Sequence, residues 1–480
     1  RTFPKIEKVR SYVINPKSIT MGQLYGEFDP NTHEWQDGIL AGMVRLCASN
    51  SSDDLKWIVF DGPVDAIWIE NMNTVLDDNK KLCLVSGEII KLTPSMEIMF
   101  EVEDLAVASP ATVSRCGMVY TEPTSLGVDP LLQSWLHALP PSFTDSIHAT
   151  LQHLFDSYIP GCLYYLRRYL NEPVPTVDNQ LVRSLFNILD TFFEPFTPRE
   201  DRDDPTKEEI ASLEAELPAL FVFALVWSVC ASVDEEGRRR FDAYLRTEMD
   251  ALGFEAPFPD AGYVYDYCWG SPVGAEAPAA GTLKRSWVPW MDTVEPYSFP
   301  AKAEFAELII PTKDSVRYKF LARRLILNRK FVLMTGPTGT GKTVNLSELL
   351  SREMPKEWTQ VNLTFSAQTS ANQTQDLIDS KMDKRQRGTY GPPVGSYFVL
   401  FVDDLNMPQR EKYFAQPPIE LLRQWCDYGG WYDRKERTFR KIVDLVLCAA
   451  MGPPGGGRNP MTARMVRHFN VINYTPMDDE

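Results

Sequence analysis

The fold of this chain is decided by the stretch Gly336-Pro337-Thr338-Gly339-Thr340-Gly341-Lys342-Thr343, which matches the pattern G-x-x-x-x-G-K-[ST]. It follows the apolar residues 331–334 and leads into the helical pattern VNLSELLSREM, so we predict a strand, a loop and a helix in that order. Glycines in such a loop let backbone N–H groups surround phosphates, and the helix N-terminus adds a favourable dipole. We predict that Lys342 contacts the β- and γ-phosphates and that Thr343 is a ligand of Mg²⁺.

A P-loop needs an acidic residue at the end of a neighbouring strand. Sixty positions after Thr343 (403 − 343), the apolar run of residues 397–402 ends in Asp403 and Asp404. We predict that Asp403 holds Mg²⁺ through water, and Asp404 lies where many hydrolytic enzymes of this type place a water-orienting glutamate. Aspartate is shorter by one carbon–carbon bond, roughly 1.5 Å, and displacements on that scale can cost on the order of 100-fold in rate. We therefore expect slow hydrolysis, or nucleotide binding alone.

A further buried strand is predicted from Ile442 to Ala450, before the loop MGPPGGGR. In ring-forming NTPases the tip of this strand usually carries a polar sensor near the γ-phosphate, and here Gly452 occupies that position. The basic stretch that follows contains Arg464 and Arg467. An arginine there can enter the neighbouring subunit's site as a rigid, always-charged fork, and ordinary surface arginine is the alternative on spacing alone.

The chain contains two copies of one module. Residues 56–62 are again an apolar strand that ends in aspartate, Asp61, and residues 114–120 resemble residues 466–472. The two landmarks are offset by 403 − 61 = 342 and 467 − 115 = 352 positions, which is nearly the same spacing. Because Gly62 follows Asp61, the first copy lacks the water-orienting carboxylate, and we expect its P-loop to precede the present chain.

The domain organisation follows from changes in pattern along the sequence. We predict a large subdomain without its P-loop (1–122), a helical small subdomain (123–250), an irregular connector (251–304) and a P-loop large subdomain (305–480). The predicted fold class is α/β: tandem P-loop NTPase modules, each a parallel sheet flanked by helices, with an all-helical lid between them. Ile310 and Thr312, just before the second P-loop strand, are candidates for the adenine pocket.

The composition excludes several classes of protein. The 480 residues are 44% hydrophobic and 11% aromatic, which excludes a disordered or fibrous chain. Lys plus Arg number 49 against 65 Asp plus Glu, a net charge of −16, so no nucleic-acid or membrane partner is expected. The longest apolar run, residues 217–233, has Pro218 near its start, where a helix tolerates proline. It is shorter than the ~20 residues of a spanning helix and predicts a buried helix.

Cysteine and histidine usage indicates neither disulfides nor a zinc site. The eight cysteines are scattered without a C-x-x-C pair, which is typical of reduced, cytosolic thiols. The five histidines show no metal-ligand spacing beyond the isolated pair His148 and His153. The first residues lack the apolar stretch of a signal peptide, and the chain, which begins at Arg1, is expected to be a piece of a longer protein.

Longer stretches of the sequence, in the same order along the chain, resemble a known protein family. Three strings resemble the second AAA+ module of dynein heavy chains: FDGPVD (60–65), WIENMNTVLDDNK (68–80) and ASPATVSRCGMVY (108–120). Six further strings resemble the third AAA+ module of these proteins: GPTGTGKT, FSAQTS (365–370), FVDDLNMP (401–408), AQPPIELLRQW (415–425), GGWYDRK (429–435) and MVRHFN (465–470). Only the connector and parts of the helical region fall outside this resemblance.

The resemblance implies a six-module ring motor that hydrolyses ATP in its first module and walks along microtubules. The principal hydrolysis site and the coiled-coil stalk that binds microtubules would lie outside this chain, and its acidic charge agrees with that. Implied cofactors are ATP or ADP with Mg²⁺. Implied partners are neighbouring AAA+ modules of the same heavy chain, dynein light and intermediate chains, and microtubules through other parts. The implied location is the cytoplasm and the axoneme of a cilium or flagellum.

The resemblance implies functional roles for individual residues, according to their positions in the matching motifs. Arg115 would be the arginine finger of the first module's ATP site, and Arg467, or less well Arg464, would serve the second module's site. Cytoplasmic dyneins have Glu and Asn where this chain has Asp404 and Gly452, a departure that resembles axonemal dyneins. The implied nucleotide-binding residues are Gly336, Pro337, Thr338, Gly339, Thr340, Gly341, Lys342, Thr343 and Asp403, with Thr343 and Asp403 at the metal.

Three functions are therefore distinguished. We favour a third module that holds nucleotide in a structural or regulatory role, within a chain that is an ATPase motor as a whole and weak or inactive as a fragment. An actively hydrolysing AAA+ remodelling ATPase is the alternative, and Asp404 and Gly452 argue against it. In a non-catalytic scaffold, nucleotide would only join the large and small subdomains.

Overall fold

The computed structural model describes residues 8–122, 125–199, 202–274, 285–298 and 309–476. The chain forms two compact units that alternate along the sequence. The first unit comprises Arg1–Thr121, Phe365–Tyr397 and Met407–Leu445, and the second comprises Glu122–Thr364, Phe398–Asn406 and Val446–Glu480. The division into four consecutive domains stays a prediction.

The helices of the described residues are numbered in chain order. They are α1 Met21–Tyr25, α2 Ile39–Ser49, α3 Ala66–Glu70, α4 Asn73–Leu76, α5 Pro110–Val113, α6 Asp129–His137, α7 Asp145–Tyr169, α8 Asp178–Phe193, α9 Lys207–Val226, α10 Glu235–Ala251, α11 Lys313–Leu327, α12 Lys342–Glu348, α13 Ala371–Asp379, α14 Pro417–Tyr428 and α15 Ala463–Val466.

The strands of the same residues follow the same order. They are β1 Val9–Ile14, β2 Gly26–Phe28, β3 Trp35–Asp37, β4 Leu55–Asp61, β5 Lys81–Cys83, β6 Ile89–Lys91, β7 Met96–Glu101, β8 Tyr267–Gly270, β9 Ser286–Pro289, β10 Val332–Thr335, β11 Trp358–Thr364, β12 Asp383–Gln386, β13 Thr389–Gly391, β14 Tyr397–Asp403, β15 Gly430–Tyr432, β16 Phe439–Ile442, β17 Leu445–Ala450 and β18 Asn470–Asn473.

The first unit is built on a parallel sheet whose described strands have the order β1-β4-β7. Its core includes Phe60 and Trp68, whose rings stack with centroids 5.4 Å apart. A second sheet, with the order β12-β13-β16-β15, belongs to the same unit. Parallel strands buried on both faces consist of nearly continuous apolar residues, and LKWIVFD in β4 follows this rule except for Lys56 and its terminal aspartate.

The second unit contains the P-loop sheet, whose described strands have the order β11-β14-β17-β10-β18. Strand β10 pairs in parallel with both β17 and β18, and all four of its residues are buried. The helices α6 to α10 share one hydrophobic core with this sheet, which extends from Leu132 to Tyr474. The helical lid therefore packs directly on the strands that carry the P-loop.

Side-chain caps fix where several of these helices begin. Ser, Thr or Asp at an N-cap accepts a hydrogen bond from a backbone N–H of the first turn. The caps of this kind include Thr144 of α7, Thr206 of α9, Asp234 of α10 and Ser370 of α13. In α9, Thr206 and Glu209 form a complete capping box, so the helix begins at Lys207 and Pro218 lies in its interior. The expectation of a proline near the helix start is thus wrong, and core packing holds the helix despite the lost hydrogen bond.

Two further expectations are corrected. The connector contains an antiparallel hairpin of β8 and β9, in which Trp269 and Trp287 meet edge to face at 5.1 Å between ring centroids. Strands of four residues are too short to show a clear alternation in the sequence. The predicted strand 442–450 is two strands, β16 and β17, because Asp444 takes a φ of 56° between them.

Among the described helices, none is both long and apolar enough to cross a membrane.

A buried arginine joins the lid to the P-loop sheet. Arg238 of α10 donates to the hydroxyl of Tyr318 at 3.0 Å and to the carbonyl of Asn473, and its guanidinium lies 4.9 Å from the centre of the Tyr265 ring. The side chain of Asn473 in turn donates to the carbonyl of Val233 at 3.0 Å. The end of β18 is therefore held to the lid through both the backbone and the side chain of Asn473.

We expect the Arg238→Ala variant to lose about 3 kcal/mol of unfolding free energy, because buried acceptors and a desolvated cation–π contact are left without a partner. Urea denaturation followed by tryptophan fluorescence measures this loss. Arg240→Ala is the matched control, since Arg240 lies on the same helix with an exposed ion pair to Glu236, and it should change stability by less than about 0.5 kcal/mol. Equal effects of the two substitutions would contradict the assigned role of Arg238.

Candidate functional site

The P-loop lies between β10 and α12, so the strand, loop and helix occur in the predicted order. Gly336, Gly339 and Gly341 have φ values of 138°, 88° and 76°, a region that only glycine enters at little cost. A Cβ atom at Gly336 would also lie 2.6 Å from the carbonyl oxygen of Tyr474. After α12 the helix continues as a π-helical turn, Leu349–Glu353.

The P-loop lysine is held inside its own loop. Nζ of Lys342 donates to the carbonyls of Gly336 at 2.9 Å and Pro337 at 2.6 Å, and to the hydroxyl of Thr340 at 3.2 Å. Burial, and after it the positive charge of Arg458, lower the pKa of Lys342. The ammonium group thus lies at the loop that would surround the phosphates.

The two predicted metal-binding residues are in direct contact. The hydroxyl of Thr343, in the first turn of α12, donates to Oδ2 of Asp403 at 3.0 Å. Asp403 is the last residue of β14. A hydroxyl and a carboxylate at one edge of the sheet are the oxygen ligands that suit Mg²⁺. These residues therefore fit a nucleotide-bound magnesium ion.

Asp404 has an unusual backbone. Its φ is 52°, which costs energy for a residue other than glycine and is frequent at functional sites. Its N–H donates to Oδ1 of Asp403 at 3.0 Å, and its own carboxylate lies 3.5 Å from Nη2 of Arg458. The carboxylate predicted to orient water is therefore engaged in an ion pair.

Arg458 is a site residue that was not predicted from the sequence. It lines a cavity of about 260 Å³ together with Thr338, Gly339, Gly341, Lys342, Thr343, Val344, Asp403, Asp404, Met451 and Gly452. The guanidinium packs over Gly452, where a Cβ would lie 2.8 Å from Nε of Arg458. The signal available in the sequence was an arginine directly after three glycines, at the end of the loop that follows the sensor position.

The two candidate adenine contacts lie outside the cavity beside the P-loop, and their predicted role stays a prediction. The hydroxyl of Thr312 accepts from the N–H of Ser315 and caps α11. The side chain of Ile310 is 54% exposed. Neither residue lines the cavity beside the P-loop, so among the described residues the structure does not bring them to the phosphate end of the site.

The candidate arginine fingers lie within or directly after the short helices α5 and α15. Arg115 pairs with Asp77 at 2.5 Å and donates to the carbonyl of Ala111 at 3.0 Å. Arg467 follows α15 and is exposed, whereas Arg464, within that helix, is half-buried. Buried Gln180 of the lid fixes this loop by donating to the carbonyls of Val466 at 2.8 Å and Phe469 at 3.1 Å. None of the three arginines lines the cavity.

Asp61, the counterpart of Asp403 in the first copy, is buried in an ion network. Arg423 of α14 lies 3.1 Å from its carboxylate, and the hydroxyl of Tyr428 donates to the same carboxylate at 2.6 Å. Arg423 also pairs with Glu420 at 2.9 Å and Asp427 at 3.0 Å. Burial alone would lower the pKa of Arg423, but Glu420 and Asp61 outweigh it, and the pKa is raised. Arg423 was not predicted either, because it lies far from Asp61 along the chain.

Comparisons with known proteins show which family the chain resembles. A family model described as the P-loop containing dynein motor region matches residues 297–477, and one described as the dynein heavy chain AAA lid domain matches residues 151–292. The chain belongs to the dynein heavy-chain family. This confirms the resemblance and the fold class of AAA+ modules with a helical lid.

The relatives that the chain matches include axonemal dyneins. The chain is 50% identical over 479 residues to dynein axonemal heavy chain 1 of Mus musculus and of Homo sapiens, with 98% of this chain and 11% of each relative covered. It is 44% identical over 497 residues to dynein axonemal heavy chain 12 of Mus musculus, with 100% of this chain and 16% of the relative covered. The chain thus spans a small part of the length of the relatives it matches.

We expect the Asp403→Asn variant to reduce the gain in nucleotide affinity that Mg²⁺ provides by about tenfold, because a charged group at the metal is lost. Titration with fluorescent ADP, with Mg²⁺ and with EDTA, measures this gain. Asp203→Asn removes an exposed carboxylate outside the cavity and should leave it unchanged. The same Mg²⁺ dependence in all three proteins would exclude Asp403 from the metal site.

We expect Arg423→Met to cost about 3–5 kcal/mol of unfolding free energy, because it leaves buried carboxylates without a counter-charge. Denaturant unfolding of the chain measures this cost, and Arg437→Met, at an exposed arginine, is the control. Adding Asp61→Asn to Arg423→Met should recover part of the loss, since one of the uncompensated charges disappears. Strictly additive losses would show that the two side chains are not coupled.

Proposed function

We propose that this chain is part of the ATP-driven, microtubule-based motor subunit of a ciliary or flagellar dynein. In this proposal its third AAA+ module binds ATP or ADP with Mg²⁺ through the P-loop and Asp403, in a structural or regulatory role. The contact between Thr343 and Asp403 beside the P-loop carries the proposal. The identity of about one half to axonemal heavy chains over nearly the whole chain supports it.

The short side chain of Asp404 supports a regulatory role over rapid hydrolysis. A water-orienting group must accept a hydrogen bond from the attacking water in line with the γ-phosphate. Asp404 is shorter than the usual glutamate, and its carboxylate faces Arg458. A hydrolysing AAA+ remodeller would need this carboxylate to reach the attacking water, and aspartate stays short by roughly 1.5 Å whether or not Arg458 holds it, so this alternative is the weaker one.

The arginine fingers are proposed to act outside this module. Arg115 would complete the ATP site of the first module, and Arg467 would complete that of the second, with Arg464 as the less suitable choice. Their positions at helix ends, outside the cavity of their own chain, suit such a role. Arg115 would have to leave Asp77 to reach a phosphate, so Asp77 would compete with nucleotide for it.

The family match supports a proposal for the wider assembly. The whole heavy chain would be the ATPase, with neighbouring AAA+ modules as intramolecular partners and dynein light and intermediate chains as subunits. Microtubules would be bound by parts outside this chain. The names of the relatives support a location in the axoneme of a cilium or flagellum.

We expect Asp404→Asn, introduced into the intact motor polypeptide, to change microtubule-stimulated ATP turnover by less than about twofold, because Asp404 is not the working base. Turnover, gliding velocity and the nucleotide content of the site are measured together. Lys342→Ala is the control that should empty the third site. If motility collapses while nucleotide stays bound in Asp404→Asn, hydrolysis in this module drives the motor and the proposal is wrong.

A further inference from the structure

The arginine in the cavity is poised to bind an anion. Nη2 of Arg458 is 3.5 Å from Oδ1 of Asp404, which is long for a charge-assisted hydrogen bond. Its Nε is buried and has no hydrogen-bond partner among the described residues. A buried donor without a hydrogen-bond partner costs free energy. A ligand in the cavity could accept a hydrogen bond from this donor and pair with the positive charge of the guanidinium.

Gly452 provides the space that Arg458 occupies. A Cβ at this position would lie 2.8 Å from Nε, 2.9 Å from Cδ and 3.1 Å from Cζ of the arginine. A side chain at residue 452 would therefore force the guanidinium of Arg458 to move from its present position. Gly452 thus leaves room for the guanidinium of Arg458, so the glycine does more than remove a polar side chain from the sensor position.

The loop that carries Arg458 is held rigidly. The side-chain amide of Asn406 donates to the carbonyls of Gly452 at 2.9 Å and Asn459 at 3.1 Å, one at each end of the loop. The N–H of Met451 donates to the carbonyl of Met334 in β10 at 3.0 Å. The start of the loop is thus fixed to the strand that leads into the P-loop, and both ends of the loop are fixed to Asn406.

We propose that Arg458 recognises the terminal phosphate of ATP within its own module, and that Asp404 is the counter-ion that holds it when this phosphate is absent. The inference rests on the proposed nucleotide binding. A guanidinium forms stronger, two-pronged hydrogen bonds with a phosphate than with a carboxylate at 3.5 Å. The P-loop serves phosphates that ATP and ADP share, so Arg458 confers the preference for ATP.

The test measures affinities for ATP and ADP separately. Fluorescent, non-hydrolysable ATP and fluorescent ADP are titrated into the intact motor polypeptide with Mg²⁺. Each titration is repeated in the Lys342→Ala background, and the difference isolates the third site. We expect Arg458→Ala to weaken ATP binding by about tenfold to 100-fold and ADP binding by less than about twofold. Gly452→Ala should have the same selective effect, because its methyl group displaces the guanidinium.

Two further variants complete the design. Arg458→Lys keeps the charge without the fork and should retain part of the preference for ATP, which also tests the site if the alanine variant folds poorly. Arg240→Ala, at an exposed arginine of the same unit, should change neither affinity.

The outcomes separate the two proposals. A loss selective for ATP in both Arg458→Ala and Gly452→Ala supports the inference. Equal losses for ATP and ADP, or no change in either, overturn it. If Lys342→Ala removes no binding from the otherwise unaltered motor, then the third site does not bind nucleotide and the proposed function itself fails.

Discussion

The parallel pairing of β10 with β17 and β18 is the constraint on which the candidate site depends. Parallel strands end at the same edge of a sheet, and ligands in open α/β sheets bind there. The P-loop follows β10, Asp403 ends β14, and the loop with Gly452 follows β17. Beyond β18, Tyr474 approaches Gly336 so closely that no other residue fits there. The lid contributes by fixing β18 through Arg238 and Asn473, so the edge that carries the chemistry is supported by the helices behind it.

The two copies of the module use the same strand end differently. In the second copy Asp403 meets the hydroxyl of Thr343, which leaves its charge available for a metal ion. In the first copy Asp61 meets Arg423, and both side chains are 1% exposed. A charge buried in this way is balanced within the protein, since removing one partner of such a pair costs several kcal/mol. The aspartate at this strand end thus belongs to a structural ion network in the first copy and to a candidate metal site in the second.

The sequence predicted the features that depend on neighbouring residues. The order of strand, P-loop and helix, and the strand that ends in Asp403, depend on local patterns of glycine and apolar residues. Arg458 and Arg423 could not be predicted, because their roles depend on which loops approach each other after folding. The hydroxyl of Thr312 caps a helix, and its predicted contact with adenine stays a prediction, because the sequence alone does not separate these uses of a threonine. Pro218 and Asp444 were misjudged for a related reason: packing tolerates a proline inside a helix, and one left-handed residue divides an apolar run.

Burial distinguishes the arginines that can move from those that cannot. Arg115 and Arg458 each face a single aspartate, and their side chains are 33% and 26% exposed. Water screens such pairs, so exchanging the aspartate for a phosphate costs little and the stronger anion wins. Arg423 is 1% exposed and faces Asp61, Glu420 and Asp427 together, so its release would strand several charges in the interior. An arginine paired with one accessible aspartate is therefore suited to respond to nucleotide, whereas an arginine buried among three carboxylates is suited to hold the fold while that response occurs.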